Sequence, residues 1–242
     1  MLGKLALSPA TQGSISRESS SVGHDFQKPF RLPSGATEIV LVRHGSSARV
    51  IEGEMPLTDG HSDPPLSSAG FEQADALREH LAGEQVDALF VTPRLRTAQT
   101  AAPLATRIDH ELIVVDDLRE VHLGDREAGF NTGVPGPNPI SAQVFEEGRW
   151  DAIPNAENME LFSERIGRGM TFVADQTGPD ATGVAVVHAG VIAEVCSQAT
   201  QSHAFAFLYS ENGSITRLIR LPSGRWAVRS FNDTSHLAAL GR

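Results

Sequence analysis

A run of four apolar residues at positions 39–42, Ile-Val-Leu-Val, constrains the fold of this chain more than any other feature. An uninterrupted apolar run is typical of a strand that is buried on both faces, as in parallel sheets covered by helices. The run leads directly into Arg43, His44 and Gly45. Two basic side chains at the end of a core strand usually face solvent or a neighbouring carboxylate. The residues that follow the other strands are therefore needed to interpret Arg43 and His44.

Strands and helices alternate after this run. The patterns predict further strands at 86–92, 111–117 and 183–188, and a hairpin at 214–231 that turns at residues 222–224. Helical spacing of apolar residues predicts helices at 67–83, 93–108, 155–177 and 190–200. Ser67 or Ser68 suits the N-cap of the first helix, and Pro93 suits the first turn of the second. Residues 125–155, with "GVPGPNP" at the centre, are predicted to be a loop.

This alternation predicts an α/β fold, namely a three-layer α/β/α sandwich. Its sheet should be mostly parallel, with one antiparallel edge strand contributed by the hairpin. Residues 1–36 are rich in Ser and Gly and lack periodicity, which predicts a disordered N-terminal tail. The folded domain is therefore expected at 37–242.

Charge and composition limit the class of ligand. The chain has 242 residues, of which 20 are Lys or Arg and 30 are Asp or Glu, giving a net charge of −10. An acidic chain disfavours nucleic acid and anionic membranes as partners. Any anionic ligand would then need a local basic pocket. The single cysteine cannot form an internal disulfide, and no apolar run approaches the ~20 residues of a membrane span, so we predict a cytoplasmic protein.

Basic and acidic residues follow each predicted strand. The first strand ends in Arg43 and His44, the second leads to Arg96, the third to Glu120 and the fourth to His188. Because ligands of α/β sheets bind beyond the carboxyl ends of parallel strands, we expect these side chains to converge. Arginine offers a planar fork that fits phosphate oxygens. A neutral imidazole among such cations can attack phosphorus, and a carboxylic acid can protonate the leaving oxygen.

Five sequence blocks in order resemble the histidine phosphatase superfamily, which has the phosphoglycerate mutase-like fold. They are "LVRHG", "DPPLSSAGFEQADAL", "VTPRLRTAQTA", "LREVHLGDREAG" and "VVHAGVI". The resemblance extends from about residue 38 to residue 237 and implies a phosphohistidine mechanism on a small phosphate ester, with neither metal nor cofactor.

The resemblance also implies roles for individual residues. His44 matches the nucleophile, and Glu120 matches the proton donor. Arg43, Arg96 and His188 match the residues that hold the phosphate. Three further residues are expected to contact substrate because they lie in or beside these blocks: Ser47, His61 and Ala189. For His61 a structural turn is an equal alternative, and Asp125 or Glu127 could act as the acid in place of Glu120.

The chain departs from the family pattern at several positions. Ser46, Ser47 and Val50 occupy places where many members carry Glu or Gln, Thr and Asn. Ala189 replaces a glycine, and Thr92 stands where Ser is usual. Val50 cannot donate a hydrogen bond, so one phosphate contact is expected to be lost or supplied elsewhere.

Two alternative functions stay open. Mutases of the family have an insert rich in Pro and Arg after the glutamate block, whereas the insert here carries only Arg149 as a cation. A phosphatase is therefore favoured over a phosphoglycerate mutase. A protein that binds phosphorylated ligands without turnover is the other alternative, and a homodimer is left open.

Overall fold

The computed structural model describes residues 29–49, 57–58, 60–127 and 139–241. From Leu32 onward the chain forms one compact unit. Eight strands are present in the described part of the chain: β1 Thr37–Arg43, β2 Leu57–Thr58, β3 His61–Ser62, β4 Ala88–Val91, β5 Leu112–Val114, β6 Thr182–Val187, β7 Ile215–Arg220 and β8 Trp226–Asp233. Five α-helices accompany them: α1 Ser68–Leu81, α2 Leu95–Ile108, α3 Pro139–Glu147, α4 Met159–Thr177 and α5 Ala189–Thr200.

The six-stranded sheet has the order β5-β4-β6-β1-β7-β8, and β2 pairs with β3 in a separate two-stranded sheet. Strands β5, β4, β6 and β1 are parallel neighbours. The hairpin of β7 and β8 adds antiparallel pairs at the edge beside β1. This topology confirms the predicted α/β class and places the carboxyl ends of the four parallel strands along one edge of the sheet.

Alternate residues of β1 supply the two cores. Ile39 and Leu41 pack in a cluster with residues of α4 and α5, whereas Val40 and Val42 pack with residues of α1 and α2. All four side chains are fully buried. Helices therefore cover both faces of the sheet, which explains why the strand is apolar at every position and confirms the three-layer arrangement.

Two helix starts follow from their capping residues. Ser67 caps α1, and its side chain accepts a hydrogen bond from the amide of Gly70. Asn158 caps α4 in the same way through the amide of Leu161. The start of α2 lies two residues later than Pro93, because Arg94 is the N-cap and Asp63 Oδ1 accepts from the Leu95 amide at 2.9 Å.

The predicted loop at 125–155 was wrong in part. Residues Pro139–Glu147 form α3, and Trp150–Ala152 form a short 3-10 turn. Proline is favoured at the first helical position, and Pro139 begins α3. The side chains of Val144 and Trp150 are buried in the core beside α4 and α5, so tertiary packing stabilises α3. The proline-rich segment before α3 made the sequence resemble a loop.

The predicted tail at 1–36 lies mostly outside the described residues. Its last residues contact the loop before β6. The Gly35 amide donates to Asp180 Oδ1 at 2.7 Å, and the Asp180 amide donates to the Ala36 carbonyl at 2.7 Å. Ala36 is fully buried.

Candidate active site

The carboxyl ends of β1 and β6 bring two histidines together. Arg43 pairs with Val187 in the parallel register, and the His44 amide donates to the Val187 carbonyl at 2.9 Å. His44 and His188 follow these strands, and their ring centroids lie 5.2 Å apart in an edge-to-face arrangement. Both rings are buried. The predicted convergence of these two imidazoles is present in the structure.

The proton of the His44 ring is held on the nitrogen that faces the backbone. Nδ1 lies 2.8 Å from the Gly45 carbonyl oxygen, which can only accept a hydrogen bond. Nδ1 therefore carries the proton, and Nε2 carries a lone pair. Burial, and then the positive charges of Arg96 and Arg43, lower the pKa of His44 well below its usual range, against the effect of the Gly45 carbonyl. The ring is therefore neutral, with its lone pair on Nε2.

The guanidinium of Arg96, from the first turn of α2, lies against both histidines. Its Nε donates to His44 Nε2 at 3.3 Å, and Nη2 lies 3.4 Å from His188 Nδ1. Nη1 donates to the Ser62 carbonyl at 3.1 Å and lies 3.6 Å from Asp63 Oδ1. Only 9% of Arg96 is exposed, so its charge acts in a desolvated environment.

Arg43 supplies a second guanidinium. Its Nη1 donates to the Ser210 carbonyl, which lies in the loop before β7. Its Nε is buried, and within the described part of the chain it has no hydrogen-bond acceptor. Buried donors normally have a partner, so this N–H is available to an acceptor that enters the site.

Glu120 follows β5 and reaches the start of α5. Its Oε1 accepts from the Val121 amide at 3.0 Å, and its Oε2 accepts from the Gly190 amide at 3.2 Å. Burial raises the pKa of Glu120 above the ordinary carboxyl range, although the two amides, Arg96 and Arg43 all act in the opposite direction. A carboxyl group with a raised pKa suits a proton donor.

A buried arginine of α4 positions the backbone around Glu120, and sequence analysis missed it. Arg165 is 3% exposed, and it donates to the carbonyls of Asp117, Arg119 and Glu120 at 2.7–3.1 Å. It also forms a two-point ion pair with Glu157, with both contacts at 2.7 Å. In the sequence an arginine between apolar helix positions looks like a solvated side chain, so only the fold reveals this role.

Arg94 is a further buried arginine near the two histidines. It is 4% exposed and occupies the N-cap position of α2. Its charge contributes to the lowered pKa of His188, after burial, Arg96 and His44. The site therefore holds two buried arginines, Arg94 and Arg96, beside the half-buried Arg43.

His61 and Glu127 lie together beside the Arg96 side of the site. His61 Nδ1 lies 3.3 Å from Glu127 Oε1, and the His61 ring packs against His122 at 4.8 Å. Glu127 also accepts from the amides of Ser62 and Leu123. Burial raises the pKa of Glu127, but the hydrogen bonds from His61, Leu123 and Ser62 outweigh it and leave the pKa below the ordinary range. Glu127 therefore stays ionised and is a poor proton donor.

The remaining predicted residues are placed as follows. Ser47 forms an isolated backbone bridge with Leu66, and Ala189 is the first residue of α5. Asp125, the other alternative acid, accepts from Asn155 Nδ2 at 2.9 Å in an exposed contact. Asn212 donates to the His44 carbonyl at 3.0 Å and so supports the backbone of the site.

No group of three or more His, Cys, Asp or Glu side chains among the described residues is arranged to hold a metal ion. No helix in the described ranges has the length and apolar character needed to cross a bilayer.

Known proteins share this architecture. Phosphoglycerate mutase-like protein 4 of Arabidopsis thaliana is 28% identical over 208 residues, covering 84% of this chain and 88% of that protein. The metal-independent phosphoserine phosphatase of the same plant is 27% identical over 220 residues, covering 89% and 90%. The structure of YhfR from Bacillus stearothermophilus matches with a TM-score of 0.70 at 22% identity, over 83% of this chain and 99% of that chain. Residues 39–234 match the model of the histidine phosphatase superfamily, branch 1, and the chain belongs to this family.

Proposed function

We propose that the protein hydrolyses small phosphate monoesters through a phosphohistidine intermediate on His44. The observation that carries this proposal is the contact of His44 Nδ1 with the Gly45 carbonyl. This contact leaves a lone pair on Nε2, beside the buried guanidinium of Arg96. Burial makes the cations stronger electrostatic partners for a phosphoryl group than they would be in water.

The reaction proceeds in two transfers. Arg43, Arg96 and His188 hold the phosphoryl oxygens, and Arg96 Nε moves its hydrogen bond from His44 to one of them. His44 Nε2 then forms a bond to phosphorus while the ester oxygen leaves, and Glu120 gives that oxygen its proton. In the second transfer the Glu120 carboxylate takes a proton from water, the resulting hydroxide attacks phosphorus, and orthophosphate leaves His44.

The charges of the insert support a phosphatase over a mutase. Arg149 is the one cationic residue between 128 and 159. Its guanidinium is occupied by Asp151 at 2.7–2.8 Å and by Glu160 at 2.8–3.0 Å. It is therefore engaged by carboxylates of its own chain, and the insert offers no other cation to a substrate carboxylate. The similarity to a metal-independent phosphoserine phosphatase agrees with hydrolysis.

Trapping the intermediate tests the proposal. Rapid acid-free denaturation during turnover of an aryl phosphate should leave acid-labile phosphate on a peptide that contains His44. His44→Ala should abolish both the trapped phosphate and the turnover, whereas His110→Ala, a partly exposed histidine away from the site, should change neither. A fully active His44→Ala variant would exclude this mechanism.

Repeating the assay with phosphoglycerate that carries a labelled phosphoryl group separates the alternatives. A mutase would return the labelled group to a second hydroxyl of phosphoglycerate instead of releasing it as orthophosphate. A binding protein would retain phosphate esters without releasing orthophosphate at any pH.

A further inference from the structure

We propose that the hydroxyl groups of Thr92 and Thr97 hold the proton of neutral His188 on Nε2, so that a phosphoryl dianion binds together with one proton at Nδ1. Thr92 and Thr97 would then be positioning residues that act through His188. This inference rests on the proposed function, because it concerns how the same site receives its phosphoryl group.

The three side chains form a continuous buried chain of hydrogen bonds. His188 Nε2 lies 2.9 Å from Thr92 Oγ1, and Thr92 Oγ1 lies 3.1 Å from Thr97 Oγ1. Thr97 Oγ1 in turn lies 2.8 Å from the Arg94 carbonyl and 3.0 Å from the Thr92 carbonyl. His188, Thr92 and Thr97 are each no more than 1% exposed, so water does not compete for these contacts.

The direction of this chain is set at its far end. A carbonyl oxygen only accepts, so the Thr97 hydroxyl donates to one of the two carbonyls near it. The Thr97 oxygen is then an acceptor for the Thr92 hydroxyl. Once the single proton of Thr92 is used in this way, its oxygen can only accept from His188. The arrangement that uses every contact of the chain therefore has the proton on Nε2.

Arg96 leads to the same assignment from the other side of the ring. A guanidinium only donates, and Arg96 Nη2 lies 3.4 Å from His188 Nδ1. A proton on Nδ1 would point at the N–H of Arg96. Two independent contacts thus place a lone pair, and not a donor, on the pocket side of His188.

A phosphoryl oxygen cannot share a hydrogen bond with that lone pair unless a proton lies between them. The groups that face His188 are Arg43 and His44 at the end of β1 and Arg94 and Arg96 around the start of α2. Burial, and then these groups, oppose the protonation of His188 in the free protein. The Glu120 carboxylate contacts the first turn of α5, where it accepts a hydrogen bond from the Gly190 amide. The negative charge of a bound dianion favours protonated His188. His188 Nδ1 therefore takes one proton from solvent when the complex forms. Between the pKa values of His188 in the free and bound states, the affinity for the dianion falls roughly tenfold per pH unit as the pH rises.

The tautomer can be read directly in the free protein. Nitrogen-15 NMR of the histidine side chains should show neutral His188 protonated on Nε2. Calorimetric titration with methylphosphonate, whose dianion has no hydroxyl to donate to Nδ1, should show uptake of about one proton per phosphonate bound. The titration is made at a pH where the free phosphonate is the dianion and in two buffers of different ionisation enthalpy.

Two substitutions at Thr92 complete the test. Thr92→Val keeps the shape but removes the hydroxyl, which frees His188 to hold its proton on Nδ1 and to donate without gaining charge. The proton count should then fall from about one towards zero. Thr92→Ser keeps the hydroxyl and should retain the count of the natural protein.

Several results would overturn the inference: Nδ1 protonated in the free natural protein, no proton uptake with methylphosphonate, or an unchanged count in Thr92→Val. If Thr92→Val does not fold, the tautomer of the natural protein still decides. Failure of the proposed function would instead appear as absent turnover and absent phosphohistidine, neither of which is needed to read the tautomer.

Discussion

At the scale of single residues, one guanidinium lies against the unprotonated nitrogen of both buried histidines. Arg96 donates to His44 Nε2 and faces His188 Nδ1, and in each ring a fixed contact holds the proton on the other nitrogen. The identity of these three residues could be predicted from the strand-end pattern. Their protonation could not, because it depends on the Gly45 carbonyl and on two threonine hydroxyls that only the fold brings into contact.

Replacing Glu120 by Gln should affect substrates unequally. Removal of this proposed proton donor should slow hydrolysis of an alkyl phosphate by about 10²–10⁴-fold and that of an aryl phosphate by less, because an aryl leaving group needs less protonation. The raised pKa of Glu120 means that the acid is lost above the ordinary carboxyl range, so activity falls as the pH rises through it. The lowered pKa of His44 places the acidic limb of the profile below the ordinary imidazole range.

The pH profile of the two variants checks this assignment. At saturating substrate, where the binding of substrate no longer limits the rate, the kcat profile of Glu120→Gln should lack the alkaline limb. Glu127→Gln, which alters an ionised carboxylate beside His61, should keep it. Equal losses on both substrates with an unchanged profile would show that another group is the acid.

An alanine at position 190 should displace the same carboxyl group. A Cβ atom there would lie 2.5 Å from Glu120 Oε1, and the flexible end of the glutamate has to move. Since misplacement of a catalytic group by about 1 Å can cost on the order of 10²-fold, Gly190→Ala should lose alkyl phosphate turnover while the fold is retained. Steady-state kinetics and thermal unfolding measure the two effects.

Gly167→Ala is the matched control for this helix substitution. Its added Cβ would make only an ordinary contact, at 3.5 Å from Gln198 Oε1. Alanine in a helix interior is favoured over glycine by roughly 0.5–1 kcal/mol, so this variant should be as active as the natural protein and slightly more stable. Loss of activity in both variants would mean that the effect at Gly190 is not local.

At the scale of elements, the site depends on which strands are neighbours in the sheet and on the segments that connect them along the chain. Apolar runs and helical spacing could predict the parallel strands and the convergence of their ends, because both patterns are local in sequence. The short helix α3 could not be predicted in the same way, since its stability comes from the burial of Val144 and Trp150 against distant helices. Pro139, followed by Ile140 and Val144 at helical spacing, was the available signal.

The segment after β5 should depend on Arg165. Its guanidinium joins three backbone carbonyls and Glu157 to helix α4, and breaking such a buried pair typically costs about 3–5 kcal/mol. Arg165→Met should therefore lower the free energy of unfolding by roughly that amount. It should also reduce alkyl phosphate turnover more than aryl turnover, because Glu120 is no longer held in place.

Arg168→Met provides the comparison on the same helix. Arg168 is exposed and contacts Asp117 at 3.2 Å, so its removal should change the free energy of unfolding by less than about 1 kcal/mol. Urea denaturation of the two variants measures the difference. Equal stabilities would show that the buried contacts of Arg165 do not support the segment.

At the scale of the whole molecule, an acidic chain contains a basic pocket. The net charge of −10 repels anions at long range, and the arginines of the site, Arg43, Arg94 and Arg96, attract them only close to the sheet edge. This contrast favours substrates that are small enough to enter the pocket over extended polyanions. Composition could predict the need for such a pocket, but its location required the topology.

The boundary of the folded unit gives the last prediction. The compact unit begins at Leu32, and Gly35 and Ala36 join it to Asp180 through two hydrogen bonds. A shortened chain that starts at Leu32 should therefore unfold as cooperatively as the full chain and keep its activity.

A chain that starts at Thr37 loses both hydrogen bonds and the buried Ala36 side chain. Each such bond contributes about 1 kcal/mol, so the free energy of unfolding should fall by roughly 2–3 kcal/mol. Urea denaturation of both chains measures this. Equal stability would show that these contacts contribute nothing, and a non-cooperative transition of the chain from Leu32 would place the boundary earlier.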